Sequence, residues 1–153
     1  MMVRVRVISE PFDADAELAA FSRERRGAGA LASFVGYCRG DAEGMAVRTL
    51  VLEHYPTFTE SEIAKLAQAV ARRRNVHELL VVHRSGVIRP TEPIVLVAAL
   101  AQHRAEAFGA VEELMDYLKT DAPFWKREVT EEGTRWIEPT TEDRRRRGRW
   151  RDE

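Results

Sequence analysis

Two lysines lie on either side of a point where a helix must end. Lys119 and Lys126 flank residues 123–125, which read Pro-Phe-Trp, and proline cannot continue a helix. Aromatic bulk beside an ammonium group lowers its hydration and makes the neutral amine more accessible. Such amines act as bases, nucleophiles or anion ligands. The segment therefore indicates a chemical site, or alternatively a helix-terminal charge at Lys119 and a surface residue at Lys126.

The helix that carries Lys119 is predicted to be the longest, from about His103 to Leu118. One of its faces holds residues at intervals of three or four, namely Arg104, Phe108, Val111, Met115 and Lys119. An apolar stripe is predicted from Phe108, Val111, Leu114, Met115 and Leu118.

Arg104 and Lys119 lie at opposite ends of this helix. The rise of ~1.5 Å per residue separates them by ~22 Å, so one small ligand cannot contact both on one copy of the chain. Either a second subunit supplies one end of a composite site, or Arg104 is an ordinary first-turn arginine. His103 precedes it at the helix start, where the two side chains would suit a phosphate.

A second candidate anion ligand is Arg39, which follows a predicted strand and precedes a glycine-containing loop. Arginine in such a place suits phosphate or carboxylate recognition. Cys38 beside it is either a reactive thiol or, as is commoner, a small buried hydrophobe. His54 and His83 each end a predicted strand, and we expect both to be structural because the chain lacks a zinc-ligand pattern.

Composition narrows the class of protein. The 153 residues fit one domain, 44% are hydrophobic and 32% are charged, and the net charge is −1. This charge gives no reason to expect nucleic acid or anionic membrane as a partner. A single cysteine excludes an internal disulfide. No apolar run is long enough for a membrane span, and the N-terminus reads as a strand rather than a signal peptide, so we expect a cytoplasmic protein.

The pattern of elements predicts an α+β fold in a single domain, with a mixed or antiparallel sheet, flanking helices and a C-terminal hairpin. Predicted strands cover residues 3–8, 29–37, 47–54, 79–83 and 94–100, and the hairpin turns at Glu132 and Gly133. Predicted helices run from Asp13 or Asp15 to about Arg26, and from Thr59, which has capping-box spacing with Glu62, to about Arg74. We place the domain at residues 1–143 and a flexible basic tail at residues 144–153.

Several segments together resemble the large, catalytic subunit of molybdopterin synthase. The resemblance rests on residues 34–39, 52–56, 83–86 and 103–104, on the long lysine segment 115–128, and on Arg135 with Trp136. It extends from about Val3 to Trp150, and the lysine segment is its most specific part.

This resemblance implies a sulfurtransferase of molybdenum-cofactor biosynthesis. In that family, a small ubiquitin-like partner subunit carries a C-terminal thiocarboxylate and donates its sulfur to cyclic pyranopterin monophosphate, which becomes molybdopterin. Two large subunits form a central homodimer within a heterotetramer. Because the partner delivers the sulfur, the resemblance implies no catalytic cysteine, no metal and no cofactor.

The resemblance also implies roles for particular residues. Lys119 and Lys126 take the catalytic positions, and Lys119 would transfer a proton or stabilise charge at the reacting carbon. The substrate-contacting positions are Tyr37, Cys38, Arg39, His103, Arg104, Lys119, Lys126, Arg127 and Glu128. The chain departs from the family at Cys38, and at Thr140 and Thr141, where a basic residue is usual.

Two other functions fit parts of the chain. The arginines of the tail, with Trp150, would suit contact with RNA by charge and stacking. A lysine-dependent Schiff-base lyase would also use Lys119. If the first alternative is correct, deleting the tail should abolish activity. If the second is correct, borohydride should trap a substrate adduct on Lys119.

Overall fold

The structure is a computed structural model and describes residues 1–23, 27–42 and 44–150. This part of the chain contains nine strands and four helices. The strands are β1 (Met2–Ile8), β2 (Ala30–Tyr37), β3 (Asp41–Ala42), β4 (Met45–His54), β5 (Glu78–Arg84), β6 (Gly86–Ile88), β7 (Pro93–Ala101), β8 (Phe124–Thr130) and β9 (Gly133–Ile137). The helices are α1 (Ala14–Phe21), α2 (Phe58–Arg74), α3 (Arg104–Thr120) and α4 (Thr141–Arg147).

The first sheet has the strand order β1-β5-β7-β2. β1 runs parallel to β5, and the other neighbouring pairs are antiparallel. Side chains alternate between the two faces of a strand. Leu79 and Val81 therefore pack with α2 and α3, whereas Leu80 and Val82 pack with Phe21 of α1 on the opposite face. Helices cover both faces of this sheet.

The second sheet contains β3, β4, β8 and β9 in that order, and β6 pairs with β4. β8 and β9 form the predicted C-terminal hairpin, in which Thr130 pairs with Gly133. Gly133 has a φ of 121°, a left-handed conformation that glycine adopts without strain. Leu50, Leu52 and Ile88 form a small apolar cluster under the sheet. Two packed sheets with flanking helices confirm the predicted α+β class.

α3 buries a different stripe from the predicted one. Val111, Leu114 and Leu118 are buried as expected, but Phe108 is 65% exposed. The buried face is shifted toward Ala107 and Ala110, whose small side chains allow the helix to lie close to its neighbours.

Two predicted helix boundaries also differ. α1 begins after Asp13, whose side chain accepts a hydrogen bond from the Ala16 N–H as a cap should, but it ends at Phe21. The predicted end at Arg26 lies outside the described residues. α2 begins at Phe58, and Thr59 is fully buried, with its hydroxyl donating to the Pro123 carbonyl. Thr59 therefore connects α2 to the segment before β8, and the predicted capping box is wrong.

Residues 144–150 differ from the expected flexible tail, and the rest of that tail, residues 151–153, lies outside the described residues. Residues 141–147 form α4, which begins with a capping box between Thr140 and Asp143. Arg147 pairs with Asp121 at 3.1 Å, and the Trp150 indole N–H donates to Asp116 at 2.6 Å. Cap and ion pairs order this segment against α3 although it lacks an apolar stripe.

None of the helices in the described ranges is long and apolar enough to cross a membrane.

Candidate functional site

A cavity of about 430 Å³ lies where the end of β2, the end of α3 and the inner face of the second sheet meet. Its apolar wall includes Phe34, Leu52 and Phe124. Among the described residues its cationic lining is Arg39, Lys119 and Lys126; its acidic lining is Asp41, Glu128, Glu138 and Asp143. The two lysines singled out by the sequence thus share one cavity.

Lys126 lies on β8, where alternate side chains face the cavity, so Phe124, Lys126 and Glu128 all line it. The Lys126 side chain is half-buried. Burial, and then the charge of Lys119, lower the pKa of Lys126 to about 8, against an opposing effect of Asp143. A lysine with this pKa exchanges its proton close to neutral pH, which suits acid–base chemistry or a pH-sensitive anion contact.

Lys119 lies in the last turn of α3, next to Thr120, whose hydroxyl donates to the Asp116 carbonyl. Its side chain is exposed at the edge of the cavity. The expectation that both lysines are desolvated therefore holds for Lys126 and not for Lys119. The helix continues to Thr120, past the predicted end at Leu118, so Lys119 is still helical when it reaches the cavity.

Tyr37, Cys38 and Arg39 line the cavity at the end of β2. Cys38 is buried, and burial, followed by the charges of Glu128 and Glu92, raises the pKa of its thiol. A raised pKa keeps the thiol protonated, so Cys38 acts here as a small hydrophobe rather than a nucleophile. Arg39 is exposed and is the one arginine that lines the cavity in the described part of the chain.

Gly36 lies in the part of β2 that lines the cavity. A Cβ atom at this position would lie 3.2 Å from Cε1 of Phe34 and 3.2 Å from Cγ1 of Val95. Both contacts are tighter than ordinary packing. Glycine therefore lets the Phe34 ring lie against the backbone at the rim of the cavity.

Glu128 and Arg127 point in opposite directions because they are adjacent on one strand. Glu128 faces the cavity and pairs with Arg135 at 3.2 Å. Arg127 lies on the outer face of the sheet and pairs with Glu53 at 3.4 Å. The prediction that Arg127 contacts the substrate beside Lys126 is not met within one copy of the chain.

His103 and Arg104 lie at the start of α3, and neither lines the cavity. Both side chains are exposed, and Nδ1 of His103 lies 3.5 Å from Glu106. The helix separates them from Lys119 by roughly 22 Å along its axis. The structure therefore leaves His103 and Arg104 outside the cavity of their own chain, as the helix-length argument predicted.

Many residues of the cavity were not predicted as site residues, and His83, Thr140 and Asp143 are among them. His83, expected to be structural, is buried and lines the cavity, and no sequence signal distinguishes the two roles. Thr140 and Asp143 reach the cavity at the start of α4, and their capping-box spacing would have predicted the helix start but not the cavity. The arginines of α4 do not join the lining, so no basic side chain there replaces the one usual near Thr140.

Among the described residues, no group of three or more histidine, cysteine, aspartate or glutamate side chains is arranged to hold a metal ion. The arrangement provides two amines, one arginine and a half-enclosed apolar wall, which together can bind an anionic substrate and move a proton.

Comparison with known proteins shows which family the chain resembles. The family model described as "MoaE protein" matches residues 7–121. A relative from Caulobacter vibrioides, named molybdopterin synthase catalytic subunit, is 48% identical over 149 residues, covering 97% of this chain and 98% of the relative. A second, of the same name, from Cereibacter sphaeroides is 47% identical over 148 residues, covering 97% and 100%.

A solved structure of a similar protein has the same fold as this chain. The molybdopterin biosynthesis MoaE protein from Burkholderia ambifaria superimposes with a TM-score of 0.81 at 42% identity, covering 97% of this chain and 98% of that one.

Proposed function

Because the chain belongs to the MoaE protein family, we propose that it is the catalytic subunit of a molybdopterin synthase. It transfers sulfur to cyclic pyranopterin monophosphate in the biosynthesis of the molybdenum cofactor. The sulfur comes from the C-terminal thiocarboxylate of a small ubiquitin-like partner subunit. The relatives' name, catalytic subunit, supports an assembly with at least one further subunit.

The proposal depends mainly on one observation: Lys119, Lys126 and Arg39 all line the same cavity. Both the cyclic phosphate of the substrate and the thiocarboxylate of the partner are anions. Three cations around an apolar cavity hold two anions close together, which brings the reacting atoms within reach.

Each cation has a proposed role. Arg39 binds the phosphate, because its planar guanidinium donates paired hydrogen bonds to phosphate oxygens. Lys126 neutralises the incoming thiocarboxylate from inside the cavity. Lys119 acts at the reacting carbon, where it transfers a proton or stabilises developing charge.

A second copy of the chain completes the site. We place His103 and Arg104 of the second copy at the cavity of the first, because neither residue reaches the cavity of its own chain. The surface that would join the copies lies between Arg104 and Lys119, where Phe108 is 65% exposed. Beside it, β2 is the last strand of its sheet, and Phe34 on it is 41% exposed. Apolar side chains this exposed on a helix and an adjacent sheet edge are typical of a surface covered by a partner.

Reconstitution with the thiocarboxylated small subunit and cyclic pyranopterin monophosphate tests the proposal. Wild-type chain should form molybdopterin, and Lys119→Ala should lower the rate about 10²–10⁴-fold, the usual contribution of a positioned proton-transfer group. Lys65→Ala is the matched control, because Lys65 is an exposed lysine of α2 that pairs only with Glu62 among the described residues.

Partner binding is measured in the same experiment by calorimetry. Lys119→Ala should bind the small subunit as wild type does, because the substitution lowers the rate of the reaction and not the affinity for the partner. Wild-type chain that binds the small subunit and the pterin without forming product would refute the proposal.

A further inference from the structure

Arg84 is a buried cation to which the proposed function gives no role. It ends β5, is only 1% exposed and does not line the cavity. Its Nη2 donates to the carbonyl oxygens of Val87, at 2.8 Å, and Ser9, at 3.5 Å, but Nε and Nη1 have no hydrogen-bond partner among the described residues. Because a guanidinium stays charged in a protein, its burial requires a negative charge close by.

That charge is the carboxylate of Glu92, which lies between β6 and β7. Nη1 of Arg84 is 3.9 Å from Oε1 of Glu92, and this is the one carboxylate within 4 Å of the guanidinium in the described part of the chain. The distance is too long for a hydrogen bond, so the attraction is electrostatic. Burial of Arg84 weakens the screening of this attraction by salt. The core of the protein therefore fixes the position of the Glu92 carboxylate.

The same carboxylate closes a turn formed by residues 89–92. Oε1 of Glu92 accepts a hydrogen bond from the Arg89 N–H at 2.6 Å, and the Glu92 N–H donates to the Arg89 carbonyl at 3.1 Å. Thr91 in this turn has a φ of 75°, a left-handed conformation that is unfavourable for a β-branched residue. Such a conformation persists only where the surrounding contacts hold it. Glu92 supplies two of these contacts.

Two backbone hydrogen bonds join the 89–92 turn to Cys38, the residue before Arg39. The Cys38 N–H donates to the Glu92 carbonyl at 2.9 Å, and the Thr91 N–H donates to the Cys38 carbonyl at 2.8 Å. The register between β2 and β7 is irregular just before Cys38, so regular strand pairing does not by itself direct the chain here. The Cys38 carbonyl belongs to the planar peptide that leads into Arg39. The turn therefore fixes the plane of that peptide.

We propose that Arg84 and Glu92 are positioning residues for Arg39: their charge pair holds the 89–92 turn, and the turn directs the Arg39 guanidinium into the cavity. The contact of Arg39 with the pterin phosphate rests on the proposed function, whereas its placement by the turn does not. Neither Arg84 nor Glu92 lines the cavity, so both act on the substrate only through Arg39. A cation that is already in place binds an anion more tightly, because less conformational freedom is lost on binding.

Glu92→Gln tests the charge pair. The amide oxygen can still accept from the Arg89 N–H, but the charge that attracts Arg84 is lost. Affinity for cyclic pyranopterin monophosphate is measured by calorimetry on the full chain without the small subunit. Glu92→Gln should bind about tenfold more weakly, which corresponds to one lost hydrogen bond to a charged group. Arg89→Ala is the matched control, because it removes an exposed cation of the same turn and keeps the N–H; it should bind as wild type does.

A double-mutant cycle separates positioning from a general structural role. Arg39→Ala alone should weaken binding, and adding Glu92→Gln should change the affinity no further, because the residue through which Glu92 acts is gone. If Glu92→Gln weakens binding by the same factor in both backgrounds, it loosens the whole cavity and the proposal is wrong. Unchanged affinity of Glu92→Gln with Arg39 present also overturns it.

The double variant Arg84→Met/Glu92→Gln covers the case in which the single substitution does not fold. It removes both charges, so no buried charge is left unpaired. It should lose as much affinity for the pterin as is expected of Glu92→Gln. Wild-type affinity in this variant would overturn the proposal.

Amide hydrogen exchange provides a readout that needs neither partner nor pterin. The N–H groups of Cys38 and Thr91 should exchange faster in Glu92→Gln than in wild type, because the turn that pairs them is less firmly held. The N–H of Val97, within β7, should exchange at the wild-type rate, and Arg89→Ala should leave all three unchanged. Unchanged exchange at Cys38 and Thr91 in Glu92→Gln overturns the proposal.

The two readouts separate this role from the proposed function. If exchange at Cys38 and Thr91 rises while wild-type chain binds no pterin, the proposed function fails and the placement of Arg39 by the turn stands. If wild-type chain forms molybdopterin and Glu92→Gln binds the pterin as wild type does, the positioning role fails and the proposed function stands.

Discussion

The charge of Lys126 depends strongly on its surroundings. Burial and the neighbouring Lys119 lower its pKa to about 8. The amine is therefore charged below this pH and neutral above it. If its role is to neutralise the thiocarboxylate, affinity for the partner tail should fall as the pH rises through about 8.

Lys126→Arg tests this pH dependence. The guanidinium stays charged across the whole range, so the variant should bind the tail with little change between pH 7 and pH 9 (about one unit on either side of the pKa). Wild type should lose affinity over the same interval. Tail affinity is measured by calorimetry with a thiocarboxylated peptide. Wild-type affinity that is flat through pH 8, or that rises, would show that the ammonium form is not the binding form.

The sequence predicted the lysine pair but not its full surroundings. The Pro-Phe-Trp break and the helix spacing were local signals, and both lysines do reach one cavity. Arg127 was predicted to lie beside Lys126 in the site, but it faces the opposite side of the sheet. Which face each residue of β8 takes depends on where the strand begins and on its register with β4. The place of His83 in the cavity could not be predicted, because its contacts with Arg84 and Phe124 form only in the fold.

At the scale of elements, α2 and α3 are joined by a buried carboxylate. Glu113 is fully buried and pairs with Arg73 and, at 2.9 Å, with Arg74. Burial by itself raises the pKa of Glu113, but hydrogen bonds involving Arg73, Tyr117 and Arg74 outweigh it, so the pKa lies below its ordinary value. This carboxylate remains charged at neutral pH and ties the two helices together.

Glu113→Gln should destabilise the fold by about 3 kcal/mol, because it removes the buried negative charge that Arg73 and Arg74 both contact. Glu62→Gln is the control, since Glu62 pairs with the exposed Lys65 and surface pairs contribute about 0–1 kcal/mol. Urea unfolding followed by circular dichroism measures both variants. Equal midpoints for the two would mean that the buried pair contributes no more than a surface pair.

α4 is held against α3 by its C-terminal residues. Besides the Trp150 hydrogen bond to Asp116, the Arg74 guanidinium lies 4.7 Å from the centre of the Trp150 ring. Arg149 pairs with Glu112 and Asp116, each at 2.9 Å. Arg149, one of the arginines on which the RNA-binding alternative depends, is therefore already paired within the chain.

Trp150→Ala should therefore lower the free energy of unfolding by about 2 kcal/mol, from the lost hydrogen bond to a carboxylate and the lost cation–π contact. Arg144→Ala is a suitable comparison because its side chain is exposed on α4, the helix that precedes Trp150. Thermal unfolding measures both. A Trp150→Ala protein as stable as Arg144→Ala would show that the segment after α4 adds nothing to the fold.

Long elements were predictable from the sequence and short ones were not. The alternation in β1 and the periodicity of α3 are local, and their positions were found to within a few residues. β3 and β6 have two and three residues and exist through pairing with β4. α4 was missed because charge pairing and a cap stabilise it, and a search for apolar periodicity does not detect these.

For the whole molecule, the separation of Arg104 from Lys119 decides how many chains form one site. Mixed dimers of Lys119→Ala and Arg104→Ala subunits should regain activity, because one of the two cavities then receives Lys119 from one chain and Arg104 from the other. The assay is molybdopterin formation after mixing the inactive homodimers. Mixtures of Lys119→Ala with Lys126→Ala should stay inactive, since each cavity lacks one lysine. No recovery in the first mixture would show that both residues serve one chain's cavity.

The central claim is that the two lysines handle sulfur delivered by another polypeptide. It is tested most directly by mass spectrometry of the partner's tail during a single turnover with cyclic pyranopterin monophosphate. With wild-type chain, the thiocarboxylate should become a carboxylate as sulfur leaves for the pterin and oxygen enters from water. With folded Lys119→Ala/Lys126→Ala chain the thiocarboxylate should persist, and conversion at the wild-type rate in that variant would contradict the claim.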